Sequence, residues 1–325
     1  MINENETFIA NENMIDAANA KMLLPQMLKI IAEGGGHPCI HTGFAQMDAV
    51  LEGGLYEGLY TIGAISSIGK TTFVMQMMDQ IAQSGIDVVV FSLEMARVEL
   101  IAKSISRLTL ADAVASGGDM KSAKTMRDIM AGSRFTSFDK DEQIAIEKAF
   151  TTYSQYAGNI YIHEGNGDVG VRQIRDIVDV HIKHTGKLPV VAIDYLQILA
   201  PHSERLSDKQ NVDRAVSDLK RLSRDYKIPV LAISSFNRQN YKETAAMESF
   251  KESGACEYGS DVLIGLQLAG VGGKSFDLTA EKKKNPRVVE LVILKNRSGI
   301  VGDVVTFDYY PAFNCFVESQ SQKKR

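Results

Sequence analysis

The sequence of 325 residues predicts an α/β fold with a mostly parallel sheet that is covered by helices on both faces. Short, continuously apolar segments alternate along the chain with longer segments of helical periodicity. A glycine-containing loop joins one apolar segment to a helix, and another apolar segment ends in an aspartate. Neither an internal repeat nor a low-complexity linker interrupts the pattern, so one α/β domain with an N-terminal helical extension is the simplest division.

The individual elements follow from the same patterns. Strands are predicted over residues 59–63, 87–92, 160–162, 190–194, 229–234, 261–268, 289–295 and 303–307. Helices are predicted over residues 73–82, 97–108, 171–184 and 213–226, and residues 109–156 are expected to be mainly helical. Apolar residues also recur at helical intervals over residues 13–33, where Pro25 is expected to kink or divide the helix. That helix could pack on its own domain or dock on a neighbouring subunit.

The loop after the first strand carries a phosphate-binding pattern. It matches G-x-x-x-x-G-K-[ST], except that Ala64 occupies the first glycine position. Gly69 lets the backbone approach phosphate oxygens, Lys70 can reach the β- and γ-phosphates, and the Thr71 hydroxyl can bind Mg²⁺. The sequence therefore predicts a nucleoside triphosphate site. The candidate nucleotide-binding residues are Ala64, Ser66, Ser67, Ile68, Gly69, Lys70, Thr71 and Thr72.

Two carboxylates follow predicted strands, where ligands gather in open α/β sheets. Asp194 ends the strand at residues 190–194 and is a second candidate Mg²⁺ ligand beside Thr71. Glu94 follows the strand at residues 87–92, between two apolar residues, where a carboxylate in apolar surroundings would be costly without a partner. It is either the base that activates the attacking water or a helix N-terminal glutamate that the helix dipole favours.

Several basic segments could meet phosphate groups. The segment of residues 235–254 contains Arg238 and Lys251 among polar and aromatic residues, which suits single-stranded nucleic acid but also an ordinary surface loop. Lys295 and Arg297 are two residues apart at the end of a strand, so both side chains face the same way. They either lie in water or reach the γ-phosphate held by a neighbouring subunit.

The overall composition limits the classes of protein. Hydrophobic residues make up 45% and charged residues 23% of the chain, as in globular proteins. The net charge of −4 provides no global basic field, so contacts to nucleic acid must come from local clusters. Without a long apolar run or a basic signal-peptide start, we expect a cytoplasmic protein with no membrane contact. Three widely spaced cysteines and six histidines suggest no metal site beyond Mg²⁺.

The motifs, taken in order, resemble the C-terminal motor domain of DnaB-type replicative helicases over residues 40–310. They are Thr42-Gly43-Phe44, the phosphate loop with Ala64, Phe91-Ser92-Leu93-Glu94-Met95, Asp194-Tyr195-Leu196-Gln197, Asn237-Arg238, Glu252-Ser253-Gly254-Ala255 and Lys295-x-Arg297-x-Gly299. The resemblance implies a RecA-like P-loop NTPase fold, ATP and Mg²⁺ between the subunits of a hexameric ring, and 5′ to 3′ movement on single-stranded DNA. A primase or a helicase loader is a further partner that it implies.

The resemblance also implies roles for individual residues. Lys70 and Thr71 would hold phosphate and Mg²⁺, Asp194 would bind Mg²⁺, and Glu94 would be the general base. Lys295 and Arg297 would act in trans on the nucleotide of the adjacent subunit. The residues expected to grip DNA are Arg238, Lys251, Glu252 and Gly254.

This chain departs from the family pattern in two ways. Ser235 stands where the family usually has a glutamine that senses the γ-phosphate, and only about 40 residues precede the motor domain, where the family has a helical collar domain. Either the collar domain is on another protein, or the chain is a shortened relative of a phage, plasmid or mobile-element type. We expect an N-terminal helical extension or linker helix over residues 1–36, a RecA-like motor domain over residues 37–318 and a basic tail over residues 319–325.

Two other functions are consistent with the same motifs. One is a recombination ATPase of the RecA or RadA kind, which uses ATP to form filaments on single-stranded DNA. The other is a loader or adaptor that binds nucleotide as a switch. ATP-dependent ring formation together with fork unwinding distinguishes a helicase from a recombination ATPase. Glu94→Gln distinguishes a motor from a nucleotide switch, because it should abolish steady-state ATP hydrolysis in a motor but leave the function of a switch largely intact.

Overall fold

The structure, a computed structural model, describes residues 19–32, 39–117, 120–165, 167–251 and 253–319. The chain divides into one unit of residues 1–39 and a second of residues 40–325. In the first unit, helix α1 (Ala20–Ala32) contains Pro25 and continues through it, so of the two effects expected of Pro25, a kink or a division, the division does not occur. The predicted basic tail beyond Ser319 lies outside the described residues.

The second unit contains the α/β elements that the sequence predicts. Its described helices are α2 (Ala45–Val50), α3 (Lys70–Gln83), α4 (Arg97–Ala115), α5 (Met126–Met130), α6 (Gly132–Phe135), α7 (Lys140–Ser154), α8 (Val171–Thr185), α9 (Asp208–Tyr226), α10 (Ser253–Gly259) and α11 (Leu278–Lys283). Its described strands are β1 (Gly58–Ala64), β2 (Val88–Ser92), β3 (Ile160–Glu164), β4 (Val190–Asp194), β5 (Pro229–Ser235), β6 (Val262–Leu268), β7 (Arg287–Asn296), β8 (Val304–Tyr310) and β9 (Cys315–Glu318). Every predicted strand is present, and β9 is an additional strand that the sequence did not indicate.

The strands form one sheet in the order β3-β2-β4-β5-β1-β6-β7-β8-β9. The strands from β3 to β6 in this order pair in parallel, whereas β7, β8 and β9 extend the sheet in antiparallel fashion. All residues of β1, β2 and β4 are buried, which requires cover on both faces of the sheet. The mostly parallel sheet is therefore confirmed.

The register brings the carboxyl ends of the parallel strands to one edge. Ser92 at the end of β2 is paired with Asp194 at the end of β4, and Ala64 at the end of β1 is paired with Ser235 at the end of β5. In open α/β sheets this edge is where ligands bind. The segments that follow these four strands therefore meet around one site.

Helix α3, which follows the phosphate loop, is braced by the antiparallel end of the sheet. The Phe73 ring on α3 packs against Phe307 and Phe316 with ring centroids 5.4 and 5.3 Å apart. The Gln76 side chain donates to the Phe316 carbonyl and accepts from the Phe316 amide, both at 2.8 Å. Strand β9 therefore fixes the direction of α3, and with it the phosphate loop.

None of the described helices combines the length and the apolar character that a bilayer crossing needs.

Candidate nucleotide site

The backbone of the phosphate loop includes left-handed conformations, which glycine adopts more easily than other residues. Ser67 and Gly69 have φ angles of 67° and 98°, in the left-handed region where glycine carries no steric cost. A Cβ atom on Gly69 would also lie 2.8 Å from the Phe316 ring and 2.9 Å from the Tyr309 ring. Gly69 directly precedes α3, so the unpaired amides of the first helical turn are available to an anion.

Two candidate loop residues contribute through the backbone alone. The side chains of Ala64 and Ile68 are completely buried. The Ala64 carbonyl accepts a hydrogen bond from Lys70 Nζ at 3.2 Å, and the Ile65 carbonyl accepts another at 3.3 Å. The lysine that the motif assigns to phosphate is thus held beside its own loop, and burial lowers its pKa.

Thr71 and Asp194 meet at the amino end of α3. The Thr71 hydroxyl donates to Asp194 Oδ2 at 2.7 Å, and Asp194 is only 6% exposed. Burial raises the pKa of this carboxyl, against the opposing effect of the Thr71 hydrogen bond. A hydroxyl oxygen beside a carboxylate suits Mg²⁺, which prefers oxygen ligands and completes its shell with water and substrate phosphates. Among the described residues there is no cluster of three or more His, Cys, Asp or Glu side chains able to hold a metal.

Glu94 follows β2 and lines the same cleft. Its side chain is exposed, so the apolar surroundings suggested by its sequence neighbours are not found. The segment is fixed from both sides, because the Leu93 amide donates to the Asp194 carbonyl at 2.8 Å and the Ser92 hydroxyl donates to the Met95 carbonyl at 2.6 Å. The carboxylate therefore sits on a fixed segment at the open side of the cleft, where water can reach it.

The cleft is an open space of about 500 Å³ at the carboxyl edge of the sheet. Its lining residues are Ser66, Ser67, Gly69, Lys70, Thr71, Thr72, Glu94, Lys103, Asp194, Tyr195, Ser235, Arg287, Tyr309, Pro311 and Asn314. The structure thus brings together the phosphate loop, both candidate carboxylates and Ser235.

Sequence reasoning missed several cations in or beside this cleft. Lys103 on α4 lies 3.4 Å from the Thr72 hydroxyl, and burial lowers its pKa. Lys282 donates to the Ser66 carbonyl and Arg287 to the Ser67 carbonyl, both at 2.8 Å. Lys103 could have been noticed as a cation within an apolar helical segment. Lys282 and Arg287 are more than 200 residues away from the loop in the sequence, so only the folded structure brings them to it.

Lys295 and Arg297 lie away from the nucleotide cleft of their own chain. Lys295 Nζ donates to the Ser260 carbonyl at 2.8 Å and also to the Glu257 carbonyl. Arg297, whose side chain is 57% exposed, lies with Nη1 3.5 Å from Asp261 Oδ1. Neither residue lines the cleft around Lys70, so a role there would require another copy of the chain.

The candidate DNA-binding residues are spread over neighbouring segments. Arg238 is exposed in the 3₁₀ turn Arg238–Lys242, and Lys251 is exposed before α10. Gly254 lies in α10 with no neighbouring atom near the position of a Cβ. Glu252 lies outside the described residues. These residues do not share one cavity, since Lys251 and Gly254 line different grooves and Arg238 lines neither.

Lys251 is nevertheless connected to the nucleotide cleft. Its amide donates to the Ser235 carbonyl at 2.9 Å, and Ser235 lines the cleft. The Asn237 amide likewise donates to the Ser249 carbonyl at 2.8 Å. The loop after β5 and the segment before α10 are therefore paired along their backbones.

A parallel sheet with a phosphate loop after its central strand, and a buried carboxylate at the end of a nearby strand, defines a P-loop nucleotide-binding domain. Residues 39–318 match the family of the DnaB-like helicase C terminal domain. The chain belongs to this family.

Individual relatives agree with this assignment. The chain is 25% identical over 283 residues to the replicative DNA helicase DnaC of Bacillus subtilis (strain 168), covering 86% of this chain and 56% of the relative. It is 26% identical over 298 residues to the replicative DNA helicase DnaB of Helicobacter pylori (strain ATCC 700392 / 26695), covering 82% of this chain and 57% of the relative. The chain thus spans little more than half the length of these curated relatives.

Solved structures share the fold. One of them, described as an ATPase domain, superposes with a TM-score of 0.75 at 24% identity, covering 93% of this chain and 98% of that one. The structure of a DnaB-like replicative helicase, described with its interactions with primase, gives a TM-score of 0.74 at 24% identity, covering 92% of this chain and 67% of that one. The predicted RecA-like α/β class is confirmed by this likeness.

Proposed function

We propose that this chain is the motor of an ATP-dependent DNA helicase of the DnaB type, which hydrolyses ATP at the subunit interfaces of a ring and moves on single-stranded DNA during replication. The observation that carries the proposal is the meeting of Lys70, Thr71, Asp194 and Glu94 in one open cleft, in a chain of the DnaB-like family. Each of these side chains has a task in phosphoryl transfer from ATP to water.

The roles in hydrolysis follow from the positions of the side chains. The loop amides and Lys70 bind the phosphates, which add negative charge beside the partly buried Lys70 ammonium group. Thr71 and Asp194 hold Mg²⁺, which neutralises charge on the transferred phosphoryl group when bound. Glu94 orients a water molecule and accepts its proton, because its carboxylate is exposed on a fixed segment of the same cleft.

The ring supplies the remaining charges. Lys295 and Arg297 stay outside the cleft of their own chain, and the Arg297 side chain, 57% exposed beside Asp261, can extend toward a neighbour. Cations placed on a neighbour's γ-phosphate stabilise transition-state charge. Helix α1 supports assembly, since its apolar residues Met22, Leu28 and Ile31 are 65%, 66% and 63% exposed and suit docking on another subunit.

The strand of DNA is gripped by the segments around Arg238, Lys251, Glu252 and Gly254. Exposed cations bind backbone phosphates, and the open surroundings of Gly254 allow a phosphate to approach the main chain. The hydrogen bond from Lys251 to Ser235 links this grip to the nucleotide cleft. A primase or a helicase loader is a further partner of the assembled ring.

Fork unwinding tests the proposal directly. The chain is incubated with ATP, Mg²⁺ and a forked duplex with a 5′ tail, and strand displacement is measured by fluorescence, with Lys70→Ala as the matched inactive control. We expect displacement that requires ATP hydrolysis and is absent from the control. Filament formation on single-stranded DNA without displacement would contradict the proposal and favour a recombination ATPase. If neither single-stranded DNA nor single-stranded RNA raises ATP turnover, the chain is not a motor that moves on nucleic acid.

A further inference from the structure

Asp261 lies at the centre of a group of charges at the amino end of β6, the edge of the sheet opposite the nucleotide cleft. We call this group the charged cluster and define it as Lys220, Asp261, Lys295 and Arg297. Asp261 precedes β6, and its side chain is 17% exposed. Its Oδ2 accepts from the Leu59 amide at 2.8 Å, while its Oδ1 forms ion pairs with Lys220 and, at 3.5 Å, with Arg297. One carboxylate is thus anchored to the sheet and shared by two cations.

The main chain around Asp261 holds the same residues. The Arg297 amide donates to the Asp261 carbonyl at 2.9 Å. The Lys295 ammonium group donates to the carbonyls of Ser260 and Glu257. Residues 257–261 therefore fix both ends of the segment that carries Lys295 and Arg297.

The Asp261 carboxylate offsets the repulsion among the cations of the charged cluster. Lys220 and Arg297 pair with it and Lys295 lies close enough to feel its charge, and like charges in close proximity repel one another. Burial and the nearby Arg297 lower the pKa of Lys295, whereas Asp261 opposes that shift. Without the negative charge, Lys220 and Arg297 would lose their shared partner, and the exposed Arg297 side chain would lose its fixed starting position beside Lys295.

We propose that Asp261 is a positioning residue, which sets the direction in which Lys295 and Arg297 leave the sheet and meet the nucleotide of the adjacent subunit. The inference rests on the proposed function, in which these two cations act in trans. The pair with the exposed Arg297 contributes little to folding stability, whereas the pair with Lys220, whose side chain is 19% exposed, contributes more. The melting temperature is therefore measured beside hydrolysis, and the effect on the geometry of hydrolysis is the activity lost while the protein is fully folded. Asp261 touches no substrate atom and acts only through the two cations.

The test compares Asp261→Asn, Arg297→Ala and a matched control, Asp128→Asn. The asparagine keeps the shape and an oxygen that accepts from Leu59, but removes the charge. The control breaks the ion pair between Asp128 and Arg134, whose side chains are 23% and 50% exposed, away from the charged cluster. The readouts are kcat and KM for single-stranded-DNA-stimulated ATP hydrolysis, trapping of ADP with aluminium fluoride, and the melting temperature.

For Asp261→Asn we expect kcat to fall about 10- to 100-fold, the cost of a small displacement of catalytic groups. KM for ATP should stay at its wild-type value, the protein should remain fully folded at the assay temperature, and trapping of ADP with aluminium fluoride should weaken in parallel with kcat. Asp261→Glu restores the charge and should recover part of the lost kcat. The control Asp128→Asn should leave kcat unchanged.

The outcomes separate the inference from the proposed function. If Arg297→Ala abolishes turnover and Asp261→Asn keeps wild-type kcat, the positioning role of Asp261 is wrong while the role of Arg297 stands. A fall in melting temperature that accounts for the lost activity of Asp261→Asn would also overturn it, as a purely structural effect. If Arg297→Ala keeps wild-type turnover, the trans role of Arg297 fails, and the inference fails with it.

Discussion

The buried ion pair between Arg107 and Asp79 connects three parts of the nucleotide site. Asp79 lies on α3, Arg107 lies on α4, and their side chains are 3% and 8% exposed. Arg107 Nη1 also donates to the carbonyl of Asn314, a residue that lines the cleft, at 3.1 Å. Replacing Arg107 by alanine leaves the Asp79 carboxylate buried without its cation.

The expected loss of stability follows from that burial. Removing one partner of a buried ion pair costs about 3–5 kcal/mol, because the remaining charge is neither solvated nor paired. For a domain of this size each kcal/mol lowers the melting temperature by about 2 °C, so Arg107→Ala should melt about 6–10 °C below the wild type.

The loss should also depend on pH. Burial raises the pKa of Asp79, and Arg107 opposes that rise. In Arg107→Ala the folded-state pKa rises further above the unfolded value. A raised carboxyl pKa contributes stability that is present below the unfolded pKa and is lost as the pH rises toward the folded pKa. The deficit should therefore be smaller at pH 5 than at pH 8.

Thermal unfolding followed by circular dichroism at both pH values measures the effect. The matched control is the double variant Asp79→Asn with Arg107→Met, which removes both charges and should lose less stability than Arg107→Ala at pH 8. A loss under about 1 kcal/mol, typical of an exposed pair, would refute the reasoning. Equal deficits at pH 5 and pH 8 would refute the attribution to the Asp79 charge.

Three further predictions concern the site itself. Glu94→Gln should lower ATP turnover at least about 100-fold and keep ATP affinity, and turnover close to that of the wild type would contradict its role as base. Gly69→Ala should abolish binding of a fluorescent ATP analogue, because the strained φ and the two ring contacts displace the loop; unchanged affinity would show that the loop tolerates a Cβ. Lys251→Ala should reduce the slope of log affinity for single-stranded DNA against log salt by about 0.7, the contribution of one phosphate contact, and an unchanged slope would remove Lys251 from the interface.

The elements that local patterns determine were predicted well. Strands β1, β2, β4 and β5 are short apolar runs, and both the phosphate loop and Asp194 follow directly from residue types at fixed spacing. Their meeting at one edge of the sheet follows from parallel pairing, which the alternation of strands and helices indicates. The meeting of the phosphate loop, Glu94 and Asp194 around one cleft was therefore predictable from the sequence, and their roles at a nucleotide remain predictions.

Features that depend on distant contacts were not predictable. Strand β9 has only four residues and is held by β8 and by Gln76 of α3, so no local pattern marks it. Lys282 and Arg287 reach the phosphate loop from the far end of the chain. Of the kink or division expected at Pro25, the division is absent from α1, because one proline does not outweigh the helix-forming residues around it.

The environment of Glu94 also required the structure. Its neighbours Leu93 and Met95 are apolar, which suggested a buried carboxylate, yet the segment turns so that Glu94 is exposed while Leu93 is buried. The dispersal of Arg238, Lys251 and Gly254 over different surfaces likewise depends on loop geometry, which sequence spacing does not determine.

ATP turnover by mixtures of two inactive variants tests the central claim most directly. In the proposed function, Glu94→Gln lacks the base but keeps Arg297, whereas Arg297→Ala keeps the base but lacks the cation. If ATP is hydrolysed between subunits, each variant alone is inactive, and mixing them restores turnover wherever an intact Arg297 meets an intact Glu94 site. Mixtures that assemble and bind ATP, yet stay inactive at every ratio, would contradict the account.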